Sequence, residues 1–295
     1  MLSISSLLNR LPGGVAQGII WGIMALGVYI TFRILQESDL TVDGSFATGG
    51  AVTVMLILSG TNSIVSLLAA FVVGVIIGVV TGLIHTKLKI PAILSGILVQ
   101  FGLYSINLHI MNMSANTAVN SNKYNLLINL KNVNKTILIG VVIVVLLIIA
   151  LYWYFGTEQG CAIRATGNNY HMALAQGINI DNMKVIGFGL GNGIVAFAGG
   201  LMAQYQGYVD INMGRGAIVI GLAAIIIGEV LAEAIFKRVI SFYTRFTFVI
   251  IGGIIYYLIM ILILWLKVDS NDLKLATAII VMLCLAIPNF KKGAK

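Results

Sequence analysis

The sequence predicts an all-α polytopic membrane protein of about nine transmembrane segments, two of them broken or short. Three observations lead there. Of 295 residues, 59% are hydrophobic and only 9% are charged, against about 25% charged in soluble domains; mean hydropathy is +1.01. Apolar runs of about the membrane-crossing length recur along the chain. Glycine is abundant at 33 and proline scarce at 3, which suits helices whose backbones approach closely in lipid. Residues 1–295 read as one integral domain.

Residues 1–14 suggest a short interfacial helix, apolar at Leu2, Ile4, Leu7, Leu8 and Leu11, without the basic start and apolar core of a cleavable signal peptide. Val15–Leu35 is the first span. Ser45–Leu58 is apolar but too short for a straight crossing of roughly 30 Å, so a broken helix is expected, unwound over Asp39–Gly44. Such backbone survives at membrane depth only where protein or a water cavity satisfies it. Ser63–Ile84 and Pro91–Met111 span, and Asn112–Lys135 reads as a polar loop with one short helix at most. Ile137–Phe155 and Val185–Ala203 span, Gly216–Leu231 is short and interrupted by glycine, and Phe246–Leu266 and Leu273–Pro288 complete the set.

Two patterns organise these spans. With residues 156–184 in the cytoplasm, 11 of the 18 Lys and Arg fall on that side, a bias in the positive-inside direction. It puts the N-terminus outside and the C-terminus in the cytoplasm. The basic residues cluster at span ends, so the net charge of +8 does not read as a nucleic-acid stripe. The second pattern is an echo. Asp39–Gly44 (DLTVDG) precedes one short apolar segment and Asp210–Arg215 (DINMGR) the other, the leading aspartates 171 positions apart. An inverted repeat would produce this, as in many transporters; chance similarity of apolar segments is the alternative.

Residues 156–184, GTEQGCAIRATGNNYHMALAQGINIDNMK, form a polar interruption of 29 residues, whereas a connector between packed helices needs about 2–8. Asn168 or Asn169 suits an N-cap, Tyr170–Gln176 a helix and Gly177 a C′ stop. A capped helix between two spans points to a docking role. Gly160, Arg164, Ala165, Gly167, Ala173, Gly177, Ile178 and Asn179 are spaced here as in ABC-importer permeases of the branched-chain amino-acid and monosaccharide type. Asp39–Ser45 (DLTVDGS) and Gly216–Glu229 (GAIVIGLAAIIIGE) match the same family in order. The chain resembles that family along nearly its whole length, nearest a branch linked to aromatic amino acids.

The resemblance implies a non-catalytic permease subunit in the bacterial plasma membrane. Two copies would form the pathway, separate ABC ATPase subunits would hold ATP and magnesium, and an extracytoplasmic substrate-binding lipoprotein would deliver an amino acid or another small polar solute. It assigns ATPase coupling to the loop, through Arg164, Ala165, Gly167, Ala173, Gly177 and Ile178. No cofactor or metal is expected in this chain itself. It carries no GxxxxGK[ST], HExxH or Gly-x-Ser-x-Gly motif and no nucleophile–base pair. Asp39, Asp43, Asn192 and Asp210 are candidates for the translocation path. The commoner use of such aspartates is as helix caps at unwound joints, and of Asn192, Gln100, Asn107 and Gln204 as interhelical hydrogen-bonders. Arg164 suits an acid on the ATPase or a solvated surface charge, and Glu229 a partner contact or an exposed helix end. Cys161 and Cys284 read as unpaired thiols. The competing function is a self-contained, ion-coupled secondary transporter whose intramembrane aspartates would be the coupling sites.

Overall fold

The computed structural model describes residues 4–121, 123–236 and 242–266, with 272, 275, 278, 279 and 282. The chain runs α1 (Ile4–Tyr29), a π-helical turn (Ile30–Ile34), α2 (Val42–Leu58), α3 (Ser63–Lys87), α4 (Ala92–Ile110), β1 (Asn116–Ala118) and α5 (Val133–Gly156). It continues through α6 (Glu158–Asn168), α7 (Tyr170–Ala175), α8 (Ile180–Gln206), β2 (Tyr208–Asp210), α9 (Ala217–Ile235) and α10 (Phe242–Trp265). Seven helices are long and apolar enough to cross a membrane, and α2 is a shorter apolar one. The expected count of about nine is therefore corrected to seven spans plus α2 among the described residues; most of Leu273–Pro288 lies outside them, as does Cys284.

Three further expectations change. The segment 1–14 is not a separate interfacial helix from Ile4 onward: α1 runs through Pro12 into the first span. Gly216–Leu231 is not short, because helix continues from Ala217 to Ile235, its glycines serving close packing. The polar segment 112–135 contains a strand. Asn116, Thr117 and Ala118 pair antiparallel with Asp210, Val209 and Tyr208, closing what we term the strand end of the bundle; the opposite end carries α6 and α7.

Helices α1 and α8 form the centre and are the most buried spans. Their packing partners are related in pairs. Helix α3 lies antiparallel on α8, with Gly74, Gly78 and Gly82 against Asn192–Ala196, Phe188 and Val185. Helix α10 lies antiparallel on α1, with Gly14, Gly18 and Gly22 against Ile261, Ile254 and Ile250. Each glycine triplet recurs every four residues, one face of a helix. At most of these positions a Cβ would run into the opposing helix, so the small residues set the helix separation. On the opposite face of α3, Ile64, Leu68, Val72, Ile76 and Val80 are exposed, the apolar stripe a lipid-facing helix needs.

The two helices after the unwound segments are also a pair. Helix α9 runs alongside α1 in the same sense, Gly221 by Met24 and Val28 and Glu229 by Arg33. Helix α2 runs the other way, toward the strand end. Both start inside the bundle rather than at its ends: Gly44 packs on Gln100 and Leu103 in mid-α4, and Gly214 on the backbone of Asp43. The order α1, α2, α3 is thus repeated upside down by α8, α9, α10. That order fits the inverted repeat, one of the two readings of the aspartate motifs left open by the sequence.

Candidate functional site

The two unwound joints come first, because their backbone must be satisfied without a helix ladder. At 36–41, Glu37 N donates to Thr31 O at 2.9 Å, closing the π turn. Gln36 takes φ +57°, the left-handed stop of a helix end. Asp39 is 2% exposed; its Oδ1 accepts Thr41 N at 2.9 Å and its Oδ2 accepts Asn192 Nδ2 at 2.6 Å. Asn192 Oδ1 in turn accepts the Ser45 hydroxyl at 2.6 Å. The central helix α8 is therefore keyed to the start of α2 by one buried chain of polar groups, Asn192 being 0% exposed.

At 211–216, Ile211 N donates to Ala115 O at 3.0 Å, Met213 N to Asp210 O at 3.0 Å and Arg215 N to Asn212 O at 3.0 Å. Asp210 Oδ1 accepts Asn212 N at 2.7 Å. Asp43 reaches across from α2 and accepts Gly216 N on Oδ2 at 2.9 Å and Ile218 N on Oδ1 at 3.0 Å. Gly216 is the N-cap of α9, with φ +86° and no side chain to cap with, so an acid from another helix does the capping. A carboxylate suits that position because it meets the positive end of the α9 dipole. All three aspartates thus accept backbone N–H groups; Asp210 also lines a cavity of about 170 Å³ beside Trp21 and Met213, and Asp43 lines a larger one.

That cavity, of about 330 Å³, lies between α2, α4 and the 211–216 joint and is lined in part by Asp43, Gln100, Phe101, Tyr104, Asn107 and Arg215. The four amides singled out from the sequence therefore divide. Gln100 and Asn107 face the cavity, whereas Asn192 and Gln204 bond between elements. Gln204 Nε2 donates to Ser63 O at 3.2 Å and its Oε1 accepts Leu127 N at 3.0 Å.

The 156–184 segment holds two helices where the sequence reading expected one. Thr157 caps α6, its Oγ1 accepting Gly160 N at 3.3 Å. Asn169 caps α7, its Oδ1 accepting Met172 N at 3.0 Å. Gly177 has φ +77°; its N–H donates to Leu174 O at 3.0 Å and that of Ile178 to Ala173 O at 3.1 Å. These are the two bonds of a Schellman stop, so Gly177 ends α7 as expected, one residue earlier than Gln176.

The loop residues do not all face outward. Ala173 is 2% exposed and turned into the chain, whereas Tyr170, Met172 and Leu174 are exposed at 50–60%. Gly167 packs on the Ile34 carbonyl at the end of the π turn, where a Cβ would overlap the oxygen. Arg164 lies over the Phe242 ring at 4.7 Å, a cation–π contact. Together with Arg33 and Arg245 it lines a cavity of about 750 Å³, beside Cys161 and Ala165. Arg33 Nε pairs with Glu229 at 2.7 Å, so Glu229 joins α9 to the π turn after α1 and is not a free helix end. Nearby, Lys184 is bonded to Glu37 and lies 3.1 Å from His85 Nε2, while His85 Nδ1 meets Ile90 O at 2.7 Å. The sequence reading missed this cluster, whose members are 48 and 99 positions apart.

Comparison with known proteins gives a consistent picture. The family model described as "Branched-chain amino acid transport system / permease component" matches residues 11–286. A tyrosine transport system permease protein of Clostridioides difficile is 39% identical over 281 residues, covering 95% of this chain and 92% of that one. An uncharacterized protein of Rickettsia prowazekii, RP368, is 31% identical over 283 residues, 95% and 98% of the two chains. An autoinducer 2 import system permease protein, LsrC, of Yersinia pseudotuberculosis is 28% identical over 216 residues, 70% of this chain and 58% of its own. No solved structure gives a significant match.

Proposed function

The chain belongs to the branched-chain amino acid transport permease family, a transport component that spans the membrane several times, and from that premise we propose that it is the permease subunit of a bacterial ABC importer for amino acids. The α6–α7 segment carries this reading. It is a doubly capped pair of helices between two membrane-length spans, and its tip exposes Tyr170, Met172 and Leu174. Aromatic and methionine side chains are favoured at protein interfaces. We assign that tip to a separate ATPase subunit, which would hold ATP and magnesium. The three-arginine cavity beside it suits an acidic partner group. Arg164, Ala165 and Gly167 sit on the loop's inner helix, and Ala173, Gly177 and Ile178 fix the shape of its outer one.

In this proposal the α6–α7 end is cytoplasmic. The N-terminus then lies outside, the C-terminus in the cytoplasm, and the strand end faces an extracytoplasmic substrate-binding protein. A second copy completes the pathway, Asp43 lines it, and Asp39, Asn192 and Asp210 hold its joints. An aromatic amino acid is the substrate class favoured by the tyrosine permease relative. Co-purification with the ATPase, followed by ATP-dependent uptake in proteoliposomes with the binding protein, tests the reading. Uptake by the chain alone, driven by an ion gradient, would replace it with a secondary transporter.

A further inference from the structure

We propose that the cavity between α2, α4 and the 211–216 joint binds the zwitterionic head and aromatic ring of an α-amino acid on its way through the membrane. This rests on the importer reading and adds a place and a chemistry to it. The first observation is Asn107, a lining residue of the cavity that is 2% exposed and whose buried side-chain oxygen has no hydrogen-bond partner. A buried acceptor without a partner costs free energy that a bound donor would restore. The second is a pair of opposite charges, Asp43 and Arg215, in the cavity's lining. Asp43 supplies a carboxylate whose two oxygens each accept one backbone N–H and keep lone pairs to spare. Arg215 is exposed and makes no ion pair among the described residues.

A net-neutral site with separated charges matches a molecule of the same kind. The substrate carboxylate meets the Arg215 guanidinium, a bidentate geometry. The ammonium donates to Asn107 Oδ1 and Asp43. Phe101, Tyr104 and Ile97 offer the ring an apolar and aromatic wall. The volume of about 330 Å³ is at the small end of ligand pockets and fits one amino acid. A sugar carries no charge to pair with either Asp43 or Arg215 and would forgo both charge-assisted bonds.

The test labels the purified full-length chain with p-azido-L-phenylalanine and locates the adduct by mass spectrometry. The adduct is expected on α4 between Ile97 and Asn107. Excess L-tyrosine should protect it; tyramine, lacking the carboxylate, and 3-(4-hydroxyphenyl)propionate, lacking the ammonium, should not. Arg215→Gln and Asn107→Leu should each weaken protection roughly ten- to a hundredfold, the range for a hydrogen bond to a charged group. Arg215 is exposed, so its variant remains informative if the buried Asn107→Leu does not fold. An adduct elsewhere, protection by tyramine equal to that by tyrosine, or unchanged protection in Arg215→Gln overturns the site. ATP-driven uptake is measured separately on the assembled transporter. Uptake without protection rejects the site and keeps the importer; protection without ATP-driven uptake does the reverse.

Discussion

Asp43, in the first turn of α2, accepts the backbone N–H of Gly216, the cap residue of α9, at 2.9 Å. Helices α2 and α9 are thereby pinned to each other where both begin. Asp43→Ala should leave the Gly216 and Ile218 amides without acceptors and lower stability by about 1–2 kcal/mol, the usual value of a lost cap. Asp43→Asn, which keeps one acceptor oxygen, should lose less. Thermal unfolding in detergent orders the three proteins; equal midpoints would mean that the cap is not structural.

The α7 tip separates two kinds of variant. Combined replacement of Tyr170, Met172 and Leu174 by serine should abolish co-purification with the ATPase while leaving membrane abundance unchanged, because those side chains are exposed. Ala173→Trp should reduce abundance as well, since Ala173 is buried within the chain and overpacking costs about 1–3 kcal/mol. Gly177→Val should act on the helix exit, because φ is +77° there and β-branched residues are strained in that region. Normal co-purification by the triple serine variant would remove α7 from the interface.

Orientation is tested with a single cysteine at Asn169, exposed in the loop, in a background lacking Cys161 and Cys284. An impermeant maleimide should label it only after the cells are permeabilised. Strong labelling of intact cells would invert the proposed topology.

Two glycines give opposite expectations for the same substitution. At Gly49 a Cβ would overlap the Ala196 carbonyl of α8, whereas at Gly102 nothing lies within 4 Å. Gly49→Ala should cost about 1–3 kcal/mol. Gly102→Ala should be neutral or stabilising by up to about 1 kcal/mol through helix propensity. Similar unfolding midpoints for the two would contradict the α2–α8 crossing.

Lys184, Glu37 and His85 join α8, the first joint and the end of α3. A double-mutant cycle of Lys184→Met with Glu37→Gln should give a coupling of about 0.5–3 kcal/mol, as for contacting residues in one network. A value near zero would reduce the cluster to a surface pair.

Much of this was legible in the sequence because lipid forces a simple code. Apolar runs gave the spans, Asn169 and Gly177 the limits of α7, and Asp39 and Asp210 the two joints. What stayed hidden depends on distant parts of the chain. The strand pairing of Asn116 with Asp210 joins two short polar segments without strand-like alternation. Helix α9 looked short because its glycines read as interruptions, while their role against Phe248 and Met24 shows only in three dimensions. That Ala173 is buried while Tyr170, Met172 and Leu174 are exposed could not be read either, because a short helix on its own does not reveal which side is covered. Asn107 looked like any amide in a span until its oxygen proved unpartnered.

The contact of Gly167 with the Ile34 carbonyl joins the α6–α7 segment to the main chain of the π turn without any side chain between them. A π turn holds one residue more than the helix around it needs, so that junction has slack which rewinding can take up. Under the proposed function, the tip and its root then answer to different demands. Tyr170, Met172 and Leu174 can drift as the partner drifts, whereas position 167 must stay without a side chain whatever docks there. A lineage could exchange its motor subunit and still drive the same fulcrum.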